Sequence, residues 1–142
     1  MYRSILVPID VGQPSSWEKS IPTAVALCRC FSASLALTTI VPNQQLMLEA
    51  EWSAAAFRQL IDIAKARLAA IADSITGVPN IGRHVETGGI YTNILNVAEK
   101  VSADLIVLSS HRPEMKDYLL GANASRVVRH ARCSVFVVRD EN

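Results

Sequence analysis

Residues 104–138 read D-L-I-V-L-S-S-H-R-P-E-M-K-D-Y-L-L-G-A-N-A-S-R-V-V-R-H-A-R-C-S-V-F-V-V, and their order sets the fold. An unbroken apolar run, Leu105 to Leu108, ends in the small polar pair Ser109-Ser110. A polar loop follows from His111 to Asp117, and then Gly121-Ala122-Asn123 opens a helical pattern with Ala124, Val127, Val128 and Ala131 on one face. A second apolar run, Val135 to Val138, closes the unit. Buried strand, loop, helix and buried strand make a βαβ unit. The loop leaving its first strand lies at the carboxyl edge of the sheet, where open parallel sheets bind ligands. The helix start around Gly121 offers backbone N–H groups and the positive end of a dipole, which suits an anion such as phosphate. An ordinary helix start capped by Asn123 or Ser125 explains the same residues equally well.

Working outward, the same alternation runs through the chain. Ser4 to Ile9 reads as a first strand that Pro8 brings to its end, leaving Asp10 at the carboxyl edge. By itself Asp10 reads more readily as a turn or N-cap carboxylate. A helix is expected from Ser15 or Ser16, with Ile21, Val25 and Cys28 on its apolar face. Leu35 to Val41 is the second strand, its tip Ile40-Val41 at the same edge. A long helix is expected from about Glu49 to Ser74, ended by Gly77-Val78-Pro79-Asn80. Ile81 to Glu86 forms a third, edge-type strand, Thr87-Gly88-Gly89 breaks it, and Ile90 to Lys100 is a helix with Ile94, Leu95, Val97 and Ala98 turned inward. Five strands alternating with four helices imply a doubly wound, mostly parallel sheet with right-handed crossovers.

Composition narrows the function classes. A chain of 142 residues is expected to be one domain. With 14 basic and 13 acidic residues, no basic stripe points to nucleic acid. No apolar run approaches a membrane span, and Pro8 and Asp10 come too early for a secretory segment, so a cytoplasmic location is expected. Cys28, Cys30 and Cys133 show no metal-type spacing and are read as small core or near-surface residues.

Catalytic chemistry finds little support. No G-x-S-x-G elbow, Walker A loop or G-x-G-x-x-G follows any strand, and His84, His111 and His130 lack metal-ligand spacing. The adjacent Ser109, Ser110 and His111 make a poor triad. A response regulator would carry an acidic pair after its first strand, where Asp10 stands alone. What remains is a phosphate-tolerant crevice without a nucleophile, a general base or a metal site.

Several motifs, taken in order, resemble the universal stress proteins over the whole chain: I-L-V-P-I-D (Ile5 to Asp10), S-S-H-R-P (Ser109 to Pro113), L-L-G-A-N-A (Leu119 to Ala124), V-V-R-H-A (Val127 to Ala131) and C-S-V-F-V-V-R (Cys133 to Arg139). They look most like the F/G-type nucleotide-binding branch. The resemblance implies one domain over residues 1–142, a three-layer α/β/α sandwich of the adenine-nucleotide alpha-hydrolase-like, Rossmann-like type. It also implies a stress-response regulator that binds ATP or AMP, with a magnesium ion left open, and hydrolyses ATP slowly if at all. A nucleotide-free dimeric interaction module of the same fold is the alternative.

The family's phosphate motif G-x2-G-x9-G-[ST] falls on Ser109, Arg112, Gly121 and Ala122, with the second spacer one residue short. One glycine of three survives, and Arg112 offers a guanidinium that can grip phosphate in place of backbone N–H groups. The resemblance places Pro8, Ile9, Asp10, Ile40 and Val41 at the adenine or ribose and Gly88 near the sugar. Ser109, Ser110, His111, Arg112, Gly121, Ala122 and Asn123 would then hold phosphates. It further implies a homodimer paired through Val135, Phe136, Val137 and Val138.

Overall fold

The computed structural model describes residues 1–41, 49, 51, 53–110 and 121–139. Its strands are β1 (Ser4–Pro8), β2 (Ser34–Val41), β3 (Gly82–Thr87), β4 (Leu105–Ser109) and β5 (Ser134–Val138). Among the described residues the α-helices are α1 (Ser20–Phe31), α2 (Ala54–Ser74), α3 (Ile90–Lys100) and α4 (Ala122–His130), and a 3-10 turn spans Pro14–Ser16. The sheet order is β3-β2-β1-β4-β5, and every pairing is parallel.

Side chains alternate across each strand, and this splits the core into two layers. Ile5 and Val7 of β1, Ile9 just beyond it, and Leu35, Leu37, Leu105 and Val107 pack against Ile21, Ala24 and Cys28 of α1 and Leu68 and Ala72 of α2. On the opposite face Leu6, Ala36, Ile106 and Leu108 meet Ile94, Val97 and Ala98 of α3 and Val127 of α4. The result is the three-layer, Rossmann-like α/β architecture that the alternation predicts. β1 and β4 carry near-continuous apolar runs because helices cover both of their faces.

The structure revises three helix readings. The expected helix from Ser15 or Ser16 is interrupted, because the Ser16 hydroxyl turns back onto Asp10 and α1 begins only at Ser20. The long helix starts at Ala54 rather than Glu49. Glu51 sits at φ 67, a left-handed conformation that a right-handed helix cannot contain, and Ser53 then caps the new start by accepting the Ala56 N–H at 3.0 Å. Val128, expected on the inner face of α4, is 43% exposed, while its neighbour Val127 is fully buried. Consecutive residues on a helix lie about 100° apart, so only one of the two can face the sheet.

Candidate functional site

The chain leaves β1 toward β2 on one side and returns past it to β4 on the other, so the strand order reverses between β1 and β4. Helical connections diverge at such a point and leave a crevice outside the carboxyl ends of the strands. A cavity of about 840 Å³ opens there. Its volume lies in the range of small-molecule and cofactor sites.

One wall is the loop after β1, where Asp10, Gly12, Gln13, Pro14, Ser15 and Ser16 face the cavity. Asp10 organises this loop. Its Oδ1 accepts the Gly12 N–H at 2.9 Å, its carbonyl accepts the Gln13 N–H at 3.0 Å, and its own N–H donates to Ser16 Oγ at 2.8 Å. Ser16 Oγ also donates to the Asp10 carbonyl at 3.1 Å. The turn reading of Asp10 is therefore correct as far as it goes, and its carboxylate stands exposed at the cavity wall.

The floor comes from strand tips: Pro8 and Ile9, Thr38 and Ile40, and Leu108 to Ser110. The far wall is apolar, formed by Ile90 and Ile94 of α3 with Ala124 and Val127 of α4. Gly121 and Asn123 bring the start of α4 to the cavity. Gly121 is the N-cap itself and makes no side-chain cap bond, unlike the expected capping by Asn123 or Ser125. The tip of β4 is strapped to its surroundings by two bonds. Ser109 Oγ donates to the Ser15 carbonyl at 3.2 Å, and the Ser110 N–H donates to the Val138 carbonyl at 3.1 Å.

Of the residues singled out in the sequence, Pro8, Ile9, Asp10, Ile40, Ser109, Ser110, Gly121 and Asn123 meet at this one cavity. Val41 is buried beside Phe57 and Ala64, because strand alternation turns it to the face opposite Ile40. Gly88 lies off the cavity at φ 119, its N–H on the Val41 carbonyl at 3.1 Å. Ala122 is exposed and also outside the wall. His111 and Arg112 fall outside the described residues. The loop residues Gly12 to Ser16, the floor residues Thr38 and Leu108 and the apolar wall Ile90, Ile94, Ala124 and Val127 were not among the expected site residues. The cluster G-Q-P-S-S is turn-rich in composition, but a turn signal carries no information on where the turn folds back.

Titratable groups elsewhere are set by burial. Burial pushes the Cys28 thiol up to about 11, and it raises Cys133 as well. The His84 imidazole is held below its ordinary value by burial first and by the Lys100 ammonium second, against the pull of Glu86. The His130 ring stacks on Tyr91 at 5.8 Å, away from this cavity. Among the described residues, no three His, Cys, Asp or Glu side chains gather as a metal site, and no helix is long and apolar enough to cross a membrane.

A parallel doubly wound sheet with a crevice of about 840 Å³ at the strand-order reversal defines a Rossmann-like α/β protein, in which the carboxyl edge is the usual ligand position. Sequence comparison narrows that class. The model of the universal stress protein family matches residues 1–139. Universal stress protein G of Shigella flexneri is 31% identical over 98% of this chain and 100% of its own length. The chain belongs to the universal stress protein family. Two solved structures share its fold. A universal stress protein in complex with cAMP is 22% identical, covering 99% of this chain and 98% of its own, with a TM-score of 0.63. The universal stress protein of Archaeoglobus fulgidus in complex with dAMP is 16% identical, covering 96% and 97%, also with a TM-score of 0.63.

Proposed function

We propose that this protein binds an adenine nucleotide, ATP or AMP, in the crevice between β1 and β4, and that occupancy regulates a partner or its own assembly during stress in the cytoplasm. The observation that carries this reading is the convergence of Asp10, Ile40, Ser109, Gly121 and Asn123 on one cavity of about 840 Å³. The chemistry fits the ligand. Apolar Ile40, Ile90, Ile94 and Val127 suit a flat base, the start of α4 suits phosphate, and Asp10 is placed for a ribose hydroxyl or a magnesium ion on the phosphates. Relatives of the same fold are solved with cAMP and dAMP.

Isothermal titration with ATP, AMP and GTP tests the proposal. Micromolar binding of ATP or AMP, weakened at least about tenfold by Gly121→Val and by Arg112→Ala, is expected for loss of close phosphate contacts. Absence of binding by the folded protein at millimolar nucleotide would overturn it. Steady-state turnover above about 1 s⁻¹ would instead mark a hydrolase.

The two sheet edges favour a homodimer through β5. β3 carries charged blockers, with Arg83 paired to Asp73 and Glu86 3.8 Å from Lys100. β5 reads S-V-F-V-V without a charge, and its Phe136 is 44% exposed. Unpaired, uncharged strand edges invite pairing. Sedimentation should show a dimer that Phe136→Glu converts to monomer, and a wild-type monomer would sink this reading.

A further inference from the structure

α3 and α4 enclose a second cavity at their other ends. It measures about 370 Å³ and lies at the amino edge of the sheet, where α3 hands over to β4 and α4 to β5. Its inner surface is apolar, formed by Leu95, Ala98, Ala103, Ile106 and Ala131. Its rim is polar: His130, Arg132 and Glu99 stand there, and the Cys133 sulfur-bearing side chain completes the wall. No lining residue is shared with the nucleotide crevice.

Size and charge select the occupant. The volume falls at the small end of the range for ligand pockets, too tight for a nucleoside triphosphate but adequate for one or two fused rings. Leu95, Ala103 and Ala131 are only partly buried, which leaves apolar surface for the rings, with buried Ile106 and Ala98 behind them. At the rim Arg132 pairs with Glu99 at 3.3 Å, but the Arg132 side chain is 90% exposed and the Glu99 side chain 66%. An ion pair that open is worth little and yields readily to a better partner. The guanidinium presents a planar fork of donors, for which a carboxylate is the matching acceptor. The His130 imidazole, held against Tyr91, adds a second polar group on the same side.

We infer that this cavity is a second ligand site, separate from the nucleotide crevice, that takes a small aromatic carboxylate with its rings on Leu95, Ala103 and Ala131 and its carboxylate on Arg132. Burial raises the Cys133 thiol, so it alkylates slowly, and an occupant beside it slows the reaction further.

The test uses 2-naphthoate as probe and N-ethylmaleimide labelling of Cys133 in full-length Cys30→Ser protein, read by mass spectrometry. Saturable protection by 2-naphthoate is expected, unaffected by excess ATP. The neutral 2-naphthamide should bind about tenfold more weakly, the size of one lost charge-assisted interaction, and Arg132→Gln should erase that difference. Ala131→Leu, which fills the cavity from its rim, should abolish protection while far-UV circular dichroism stays native. Three results would each overturn the proposal: no protection at millimolar 2-naphthoate, protection reversed by ATP, or equal protection by acid and amide in the unsubstituted protein. Because ATP competition is read separately, failure here is distinguishable from failure of nucleotide binding.

Discussion

The hydroxyl of Ser109 donates to the carbonyl of Ser15 at 3.2 Å across 94 residues of sequence. This bond fastens the tip of β4 to the loop after β1 and closes one corner of the crevice. Ser109→Ala should cost about 0.5–1.5 kcal/mol of stability, the usual net worth of one hydrogen bond. Under the proposed function it should also weaken nucleotide binding, because the loosened loop must be reordered on binding. Parallel titration calorimetry and thermal melts measure both. Unchanged affinity would mean that the strap does not shape the site.

Gly88 is held at φ 119, and a Cβ there would sit 3.0 Å from Asn93 Nδ2. That nitrogen is already committed, donating to the Thr87 carbonyl at 3.1 Å and the Gly89 carbonyl at 2.8 Å. Gly88→Ala should therefore destabilise the fold by about 1–3 kcal/mol through backbone strain. Urea unfolding is the check. A variant as stable as the parent would show that the turn relaxes without strain.

The depressed His84 has a signed consequence for acid stability. Its folded form resists protonation, so the unfolded chain takes the proton first as pH falls. The contribution is present above the ordinary value of 6.5 and is lost as pH drops through the lower folded value. Denaturant midpoints at pH 7.5 and 5 should fall less in His84→Gln than in the parent. An identical fall in both proteins would assign the acid sensitivity to other groups.

Cysteine reactivity should follow burial. Cys28 is 2% exposed with its thiol near 11, whereas Cys30 is exposed two residues along the same helix. At pH 8 an aromatic disulfide reagent should titrate Cys30 first, Cys133 slowly, and Cys28 only once denaturant is added. Fast reaction of Cys28 in the native protein would contradict its placement under α1.

The fold was legible because its signal is local and repeated. Four of the five strands are apolar runs, with only the edge strand β3 (G-R-H-V-E-T) largely polar, and each helix shows a face every three or four residues. The helix starts expected at Ser15 or Ser16 and at about Glu49 are displaced where one side chain (Ser16) or one left-handed residue (Glu51) outweighs periodicity. The crevice was legible in part. Asp10, Ser109 and Gly121 stand at strand ends and a helix start, positions that connectivity alone brings to one edge. A strand tip gives an edge but not a face: Val41 is buried beside Phe57 and Ala64, and its neighbour Ile40 has the cavity side.

The amino-acid order alone determined the five-strand alternation and the edge on which a ligand site would open, since burial of apolar runs leaves a doubly wound sheet as the compact solution. Only the folded arrangement decided which loop walls the crevice and that the α3–α4 seam holds a second cavity. Both depend on contacts between residues far apart in sequence, such as Ser15 with Ser109 and Glu99 with Arg132, and no local pattern encodes those distances.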